Sequence, residues 1–212
     1  MQARHLMKTG SKEPVDRVHK WTAEKFSQDK VADYKRFETA DGEGVRCSLY
    51  VSGCTFACPK CYNRESQLFG FGFDYTDELE ETILEDIKHP GIQGLTLLGG
   101  EPFLNTGVTN RLCRRVKEEA PDKDIWSWSG YTFEELTSEH ATDDKKELLS
   151  MLDILVDGRF DMSKFNPDLY FRGSYNQRII DVPKSLETGE VVLWRNGEYL
   201  NEETHEPVPV PE

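Results

Sequence analysis

The chain has 212 residues, which is enough for one domain with a substantial core. Its 39 acidic residues outnumber its 26 basic ones, and the net charge of −13 disfavours binding to nucleic acid or to an anionic membrane. Because there is no apolar leader and no run of about eighteen apolar residues, we expect a cytoplasmic protein. Five cysteines, three of them clustered, do not make a disulfide framework.

Residues 1–33 are polar and show no sustained periodicity. They predict an N-terminal arm that is weakly ordered or that docks on the domain through Trp21 and Phe26. We place the main domain at residues 34–196. Near its start, apolar and polar residues alternate over residues 45–51, and this pattern predicts a strand that contains Cys47.

The predicted strand leads into residues 53–63, where Cys54, Cys58 and Cys61 have the spacing C-x3-C-x2-C. Thiolates at this spacing on a tight loop can converge on one metal centre. Structural zinc normally takes four ligands, and Cys47 is a poor fourth ligand because it lies in a strand. An iron–sulfur cluster held by only three cysteines leaves one iron open to a small molecule. From the spacing alone, a zinc site, a disulfide and plain thiols remain alternatives.

Strands and helices alternate after the cysteine loop. Short apolar runs predict strands over residues 94–98, 124–129 and 154–156. Helices are predicted after Thr76, around Val108 and Val116, after the capping box of Thr132 and Glu135, and over residues 145–152. This alternation predicts an α/β fold with a parallel sheet and right-handed crossovers, closed or partly closed into a barrel.

The C-terminal part predicts two more strands, over residues 178–182 and 191–194. Asn196 and Gly197 are the residues of a type I′ turn, so we predict a hairpin into Tyr199 and Leu200. The last segment, residues 197–212, is predicted to hold this hairpin strand and an acidic tail with alternating prolines. The tail has too little apolar content to pack, which indicates disorder.

Polar clusters follow three of the predicted strands, at residues 99–102, 127–131 and 157–159. In parallel α/β folds, ligands bind at the carboxyl ends of the strands, so these clusters are expected around the cysteine loop. Glu101 either accepts hydrogen bonds from the ammonium group of a ligand or is solvated. Ser127 and Ser129 either bind a ligand or cap the turn. Asp157 and Arg159 pair for carboxylate recognition or form a surface salt bridge.

The cysteine loop resembles that of the radical S-adenosylmethionine (SAM) superfamily. The resemblance implies an open iron that chelates the methionine end of SAM, and residues 99–102 resemble the glycine-rich motif that meets this end. Residues 157–159 resemble the Asp-x-Lys pattern of glycyl-radical activating enzymes, with Arg159 in place of lysine. Lys60 stands where the superfamily commonly has an aromatic residue, so a backbone contact with SAM is expected there, and Tyr62 is expected against the adenine.

Several motifs extend the resemblance to the activating proteins of anaerobic (class III) ribonucleoside-triphosphate reductases. They are residues 41–46, 53–63, 125–131, 155–160 and 172–178, and the similarity spans roughly residues 34–194. It implies an incomplete (β/α) barrel with about six or fewer βα units. It also implies a glycyl radical made on the large catalytic subunit of the reductase, with electrons from a donor such as flavodoxin. The alternatives are an activase of another glycyl-radical enzyme, such as pyruvate formate-lyase, and a non-catalytic zinc-binding interaction module.

The resemblance assigns the site residues. A 4Fe-4S cluster is expected on Cys54, Cys58 and Cys61, with no catalytic residue beyond the cluster and SAM. Whether residues 172–178 face SAM, face the partner or brace the last strands remains open. The residues expected around SAM are Lys60, Cys61, Tyr62, Gly99, Gly100, Glu101, Ser127, Ser129, Asp157 and Arg159.

Overall fold

The structure, a computed structural model, describes residues 15–197. Seven strands form one sheet: β1 (Lys30–Glu38), β2 (Arg46–Val51), β3 (Phe73–Asp74), β4 (Gly94–Gly99), β5 (Asp124–Trp128), β6 (Ile154–Asp157) and β7 (Arg178–Asp181). Their order across the sheet is β3-β1-β2-β4-β5-β6-β7. Strands β2, β4, β5 and β6 pair in parallel, whereas β1, β3 and β7 are antiparallel to their neighbours.

Seven helices lie in the described part of the chain. They are α1 (Val15–Lys20), α2 (Ala23–Phe26), α3 (Asp77–Ile87), α4 (Thr106–Glu119), α5 (Phe133–Thr137), α6 (Asp143–Met151) and α7 (Val182–Thr188). The predicted caps are present, since the Thr76 side chain accepts a hydrogen bond from Leu79 and Thr132 forms a capping box with Glu135. Short 3₁₀ turns occur at Glu65–Gln67, Pro102–Leu104, Met162–Lys164 and Trp194–Gly197.

The core lies on both faces of the sheet. Alternate strand residues, among them Cys47, Leu97 and Ile125, pack with apolar residues of the helices in one large cluster. The opposite face carries a smaller cluster of Trp126, Ile154, Val156 and Ile179. Cys47 and Cys113 are fully buried, and both belong to the large core cluster.

The α/β class and the parallel strands are as predicted, but the sheet is open and does not close into a barrel. The predicted strand at residues 191–194 is wrong: only Leu193 makes a bridge, to Ile180, and the chain then enters a 3₁₀ turn. The Trp194 ring contacts Trp126 at 5.1 Å and draws the chain onto the sheet face instead of along its edge. The predicted hairpin strand and acidic tail lie outside the described residues.

The described part of the N-terminal arm docks on the domain. Trp21 and Phe26 both pack against the large core cluster. Strand β1 already begins at Lys30, inside the segment predicted as arm. Between residues 15 and 197, no helix is both long and apolar enough to cross a membrane.

Candidate functional site

The cysteine loop begins where β2 ends and is shaped by backbone conformations that few residues adopt. Gly53 has φ of 106°, and two non-glycine residues, Ala57 and Lys60, have φ of 51° and 56°. Each of these two immediately precedes a cysteine, Cys58 or Cys61, and so reverses the chain direction just before a thiol. The Cys61 N–H also donates to the Cys58 carbonyl at 3.1 Å.

The start of the loop is anchored to the chain that follows it. The Gly53 N–H donates to Ser66 O at 2.7 Å, and the Cys54 N–H donates to Gln67 O at 3.1 Å. A Cβ on Gly53 would come within 2.0 Å of the Phe69 ring, so only glycine fits there. Hydrogen bonds and packing therefore fix the backbone that carries the first cysteine.

The glycine turn after β4 packs directly on this loop. A Cβ on Gly100 would lie 2.6 Å from Gly53 O, and the Glu101 N–H donates to the same oxygen at 2.8 Å. Gly99 has φ of 96°, which favours glycine as well. The two motifs that the sequence separates by about forty residues thus form one interlocked edge of the sheet.

The three clustered cysteines line one pocket of about 540 Å³ at the carboxyl ends of the parallel strands. Ser127 and Asp157 do not line it. Ser127 is fully buried in β5 beside the helix-covered residue Ile125, and its hydroxyl has no partner in the described part of the chain. The residues expected around SAM that do line the pocket are Lys60, Cys61, Tyr62, Gly99, Gly100, Glu101, Ser129 and Arg159.

Burial raises the pKa of the Cys54 thiol well above its usual range, and the Glu101 carboxylate adds to this effect. Burial also raises the pKa of Cys58, as does Cys61, while the Arg159 charge opposes the shift. Without a bound cation, the two thiols therefore keep their protons. A metal centre that binds thiolates would displace those protons and remove the repulsion between the ligands.

The residues present fit an iron–sulfur cluster. Within residues 15–197, no three His, Cys, Asp or Glu side chains lie close enough to hold a single metal ion. Cysteines that hold a cluster bind separate irons, so they need a wider spacing than the ligands of one ion. The pocket that they share is also lined by Phe56, Leu98 and Trp128, and apolar surroundings of this kind limit the access of solvent to a cluster.

Glu101 lies at the pocket, but its carboxylate is held by internal donors. Oε1 accepts from the Ser129 hydroxyl at 2.9 Å and from the Phe103 N–H at 3.1 Å, and Oε2 accepts from the Gly130 N–H at 2.8 Å. Burial raises its pKa to about 7 against the effect of these bonds. Ser129 in turn accepts from the Tyr131 N–H at 3.0 Å and so caps the turn, one of its two predicted roles.

The predicted pairing of Asp157 with Arg159 is wrong. Asp157 accepts hydrogen bonds from Arg178 at 2.5 and 3.0 Å, because the antiparallel register of β6 and β7 sets these two residues opposite each other. The guanidinium of Arg159 instead lies 4.9 Å from the centre of the Phe56 ring, at the wall of the cysteine pocket. No carboxylate of the described residues forms a salt bridge with Arg159.

Residues 172–178 brace the loop that carries Arg159. Asn176 donates to Arg159 O at 2.8 Å, and the side-chain amide of Gln177 donates to Gly158 O at 3.1 Å. Gln177 also accepts from the Gly173 N–H at 2.9 Å. Gly173 and Gln177 line the pocket, so this segment both supports the site and forms part of its wall.

Sequence reasoning missed Phe56, which lies between the first two cysteines. Its ring contacts Tyr131 edge-on at 4.8 Å and Trp21 at 5.6 Å. A Cβ on Gly130 would come within 2.4 Å of it, so the ring fills the space between two site loops. The available signal was an aromatic residue placed between two candidate ligands, where a loop exposed to solvent would have a polar one.

The α/β sheet carries a three-cysteine loop at the carboxyl edge of its parallel strands, and a family match identifies the class as iron–sulfur protein. Residues 40–180 match the family described as a 4Fe-4S single cluster domain. Three curated relatives are each named anaerobic ribonucleoside-triphosphate reductase-activating protein. The relative from Pasteurella multocida is 44% identical over 150 residues, covering 69% of this chain and 93% of its own length.

The relative from Escherichia coli K12 is 36% identical over 148 residues, 68% of this chain and 93% of the relative. That of Enterobacteria phage T4 is 34% identical over 152 residues, 69% of this chain and 92% of the relative. The chain belongs to the family of anaerobic ribonucleoside-triphosphate reductase-activating proteins.

Proposed function

We propose that this protein activates an anaerobic ribonucleoside-triphosphate reductase by generating a glycyl radical on the large catalytic subunit. The observation that carries the proposal is the single pocket shared by Cys54, Cys58 and Cys61 in a chain whose relatives bear this activity in their names. When bound there, a 4Fe-4S cluster supplies one electron that cleaves SAM to methionine and a radical able to take the Cα hydrogen of glycine.

In this proposal, the three cysteines hold the cluster and leave one iron for SAM. Arg159 suits the carboxylate of the methionine moiety, because its guanidinium faces the pocket and forms no ion pair with the described residues. Lys60 and Gly100 offer backbone groups at the pocket wall. Tyr62 is fully exposed at the mouth, so its ring is available to cover the adenine.

Glu101 acts in this proposal as a positioning residue. Its carboxylate joins the turn after β4 to the turn after β5, and both turns line the pocket. An ammonium group of SAM would have to compete with three internal donors for these two oxygens. The methionine end of SAM is therefore better served by backbone groups near Gly99 and Gly100.

We further infer that the open sheet is an incomplete barrel of the radical SAM type with about six or fewer βα units, and that its open side admits a protein substrate. Exposed apolar side chains lie at the pocket mouth, namely Tyr62 (100% exposed), Phe165 (48%) and Met162 (39%). Such side chains suit contact with another protein. The glycine-bearing segment of the reductase would enter here, with a reduced donor such as flavodoxin supplying electrons.

The decisive experiment uses anaerobically reconstituted protein, a reductant, SAM and the large reductase subunit. We expect a glycyl radical doublet in the electron paramagnetic resonance spectrum, together with methionine and 5′-deoxyadenosine. A doublet that forms only when pyruvate formate-lyase replaces the reductase would identify a different activase. One zinc and no iron per chain would instead establish the non-catalytic zinc module.

The Cys58→Ala variant tests the ligand assignment. Loss of one of three thiolates should abolish cluster binding and SAM cleavage, while the melting temperature of the iron-free chain changes little, because the half-buried loop thiol is not part of the core. The matched control is Cys113→Ala, which removes a fully buried thiol far from the loop and should retain iron and SAM cleavage. Retained cleavage in Cys58→Ala contradicts the assignment.

A further inference from the structure

The N-terminal arm is fixed to the domain by a buried lysine. Helix α1 ends at Lys20, and the carbonyl of the next residue, Trp21, accepts a hydrogen bond from Lys145 Nζ at 2.6 Å. Lys145 is 0% exposed, and Thr142 Oγ1 is its second acceptor at 3.1 Å. A buried ammonium requires such acceptors, so displacing the arm would leave Lys145 without its shortest hydrogen bond.

From this anchor the Trp21 side chain reaches the cysteine loop. Its ring meets the Phe56 ring edge-on, with centroids 5.6 Å apart and an interplanar angle of 71°. Phe56 lies between Cys54 and Cys58, and its other neighbours are the buried Tyr131 ring and Arg159, which lines the pocket. Trp21 therefore packs on the side of the Phe56 ring that faces the arm.

Two further contacts of the arm lead to the same loop. Phe26 stacks on Phe69 at 5.8 Å, and the Phe69 ring occupies the space where a Cβ of Gly53 would be. Ser27 donates to the side-chain carbonyl of the buried Asn105 at 2.9 Å.

Asn105 also hydrogen-bonds to the cysteine loop and to the glycine turn. Its side-chain amide donates to Glu101 O at 2.9 Å and to Gly53 O at 3.4 Å. Asn105 is 0% exposed, so its orientation is fixed. The arm thus contacts the cysteine loop directly at Phe56. It also contacts Phe69, which packs on Gly53, and Asn105, which donates to Gly53 O and Glu101 O.

We infer that the arm is a positioning element of the cluster site and that Trp21 is a positioning residue for the first two cluster ligands. Its contact with Phe56 restricts the backbone between Cys54 and Cys58 and thereby keeps the two thiols at their cluster-binding positions. The arm begins before the residues 40–180 that match the cluster-domain family. The cluster itself rests on the proposed function, whereas the restraint on the loop does not depend on it.

The test measures alkylation of each cysteine in the iron-free, full-length chain by peptide mass spectrometry. In Trp21→Ala, we expect Cys54 and Cys58 to react roughly twofold to tenfold faster than in the wild type, the range that an edge-on aromatic contact is worth. Trp21→Phe keeps an edge-on ring and should restore most of the protection. The fully buried Cys47 and Cys113 report global unfolding in the same sample.

The control variant is Phe37→Ala, which removes a ring that is 56% exposed and that contacts His89 instead of the cysteine loop. Its alkylation rates should equal those of the wild type. Unchanged rates at Cys54 and Cys58 in Trp21→Ala would overturn the inference. An equal acceleration at all five cysteines would overturn it too, because the arm would then stabilise the whole fold and not the loop.

A spectroscopic readout extends the test to the reconstituted protein. In Trp21→Ala, the reduced cluster should give electron paramagnetic resonance g values that differ from those of the wild type, and Trp21→Phe should recover them. Identical spectra would contradict positioning of the ligands. If the wild type itself binds no iron, the proposed function fails, while the alkylation result still decides the role of Trp21.

Discussion

At the scale of single residues, the Glu101 carboxylate is held by hydrogen-bond donors of the protein itself. It is 1% exposed, and its oxygens accept from the side chain or backbone of Phe103, Ser129 and Gly130. Desolvation raises its pKa to about 7, because burial disfavours the charged form more than the three donors favour it. The same residue therefore holds two turns of the pocket together and links their stability to pH.

The pH dependence has a definite sign. In the folded iron-free chain the pKa of Glu101 is about 7, above its usual value of 4.5, so the folded state binds more protons than the unfolded state between these pH values. The contribution of Glu101 to stability is therefore largest at low pH and falls as pH rises towards 7. Relative to Glu101→Gln, the wild type should lose about 2 kcal/mol of unfolding free energy from pH 5 to pH 8.

Urea unfolding of the iron-free wild type and of Glu101→Gln at both pH values measures this difference. Gln keeps the shape of the side chain but cannot titrate, so its own pH dependence is the reference. A difference between the two proteins that does not change with pH would show that the three donors cancel the effect of burial.

At the scale of elements, the site depends on the contact between the cysteine loop and the turn after β4. Gly100 lies against Gly53. A Cβ added at Gly100 would lie 2.6 Å from Gly53 O and 2.8 Å from Gly53 N. Because these are backbone atoms fixed by hydrogen bonds, they cannot move aside as a flexible side chain would. The position of Cys54 is thus set by strand β2, which precedes it, and by the glycine turn after β4.

Gly100→Ala should displace the cysteine loop. We expect the variant to bind clearly less iron than the wild type after reconstitution and to lose about 1–3 kcal/mol of stability, the usual cost of an overpacked site. The control is Gly70→Ala, whose nearest neighbour is the Gln28 side chain at 3.3 Å and which should bind iron normally. Full iron content in Gly100→Ala would show that the loop tolerates the shift.

At the scale of the whole molecule, local patterns predicted the parallel strands, since each is a short apolar run that ends at a polar or glycine turn. They did not predict the direction of β7, because Ile179 and Ile180 give the same pattern in a parallel or an antiparallel strand. They also could not predict that Asp157 pairs with Arg178, which is 21 residues away and becomes its neighbour only through the sheet register. The cysteine loop was predictable because its three cysteines are close in the sequence.

The pair of Asp157 and Arg178 fastens the last strand to the parallel sheet. Asp157 is 1% exposed and accepts two bonds from Arg178 and one from the Phe133 N–H, while Arg178 also reaches Glu134 on α5. Strand β6, strand β7 and helix α5 therefore meet at one guanidinium. Its removal leaves a buried carboxylate with a single backbone donor, which is among the costlier changes in a protein.

Arg178→Met should therefore destabilise the chain by about 3 kcal/mol in urea unfolding. Arg114→Met, which breaks an exposed pair with Glu147, should cost less than about 1 kcal/mol. Adding Asp157→Asn to Arg178→Met should recover part of the loss, because the unpaired buried charge disappears. Hydrogen bonds from Arg178 lower the pKa of Glu134 to about 2. In Arg178→Met this pKa should return towards 4.5. Equal losses in the two arginine variants would mean that β7 is held by its backbone ladder and apolar side chains alone.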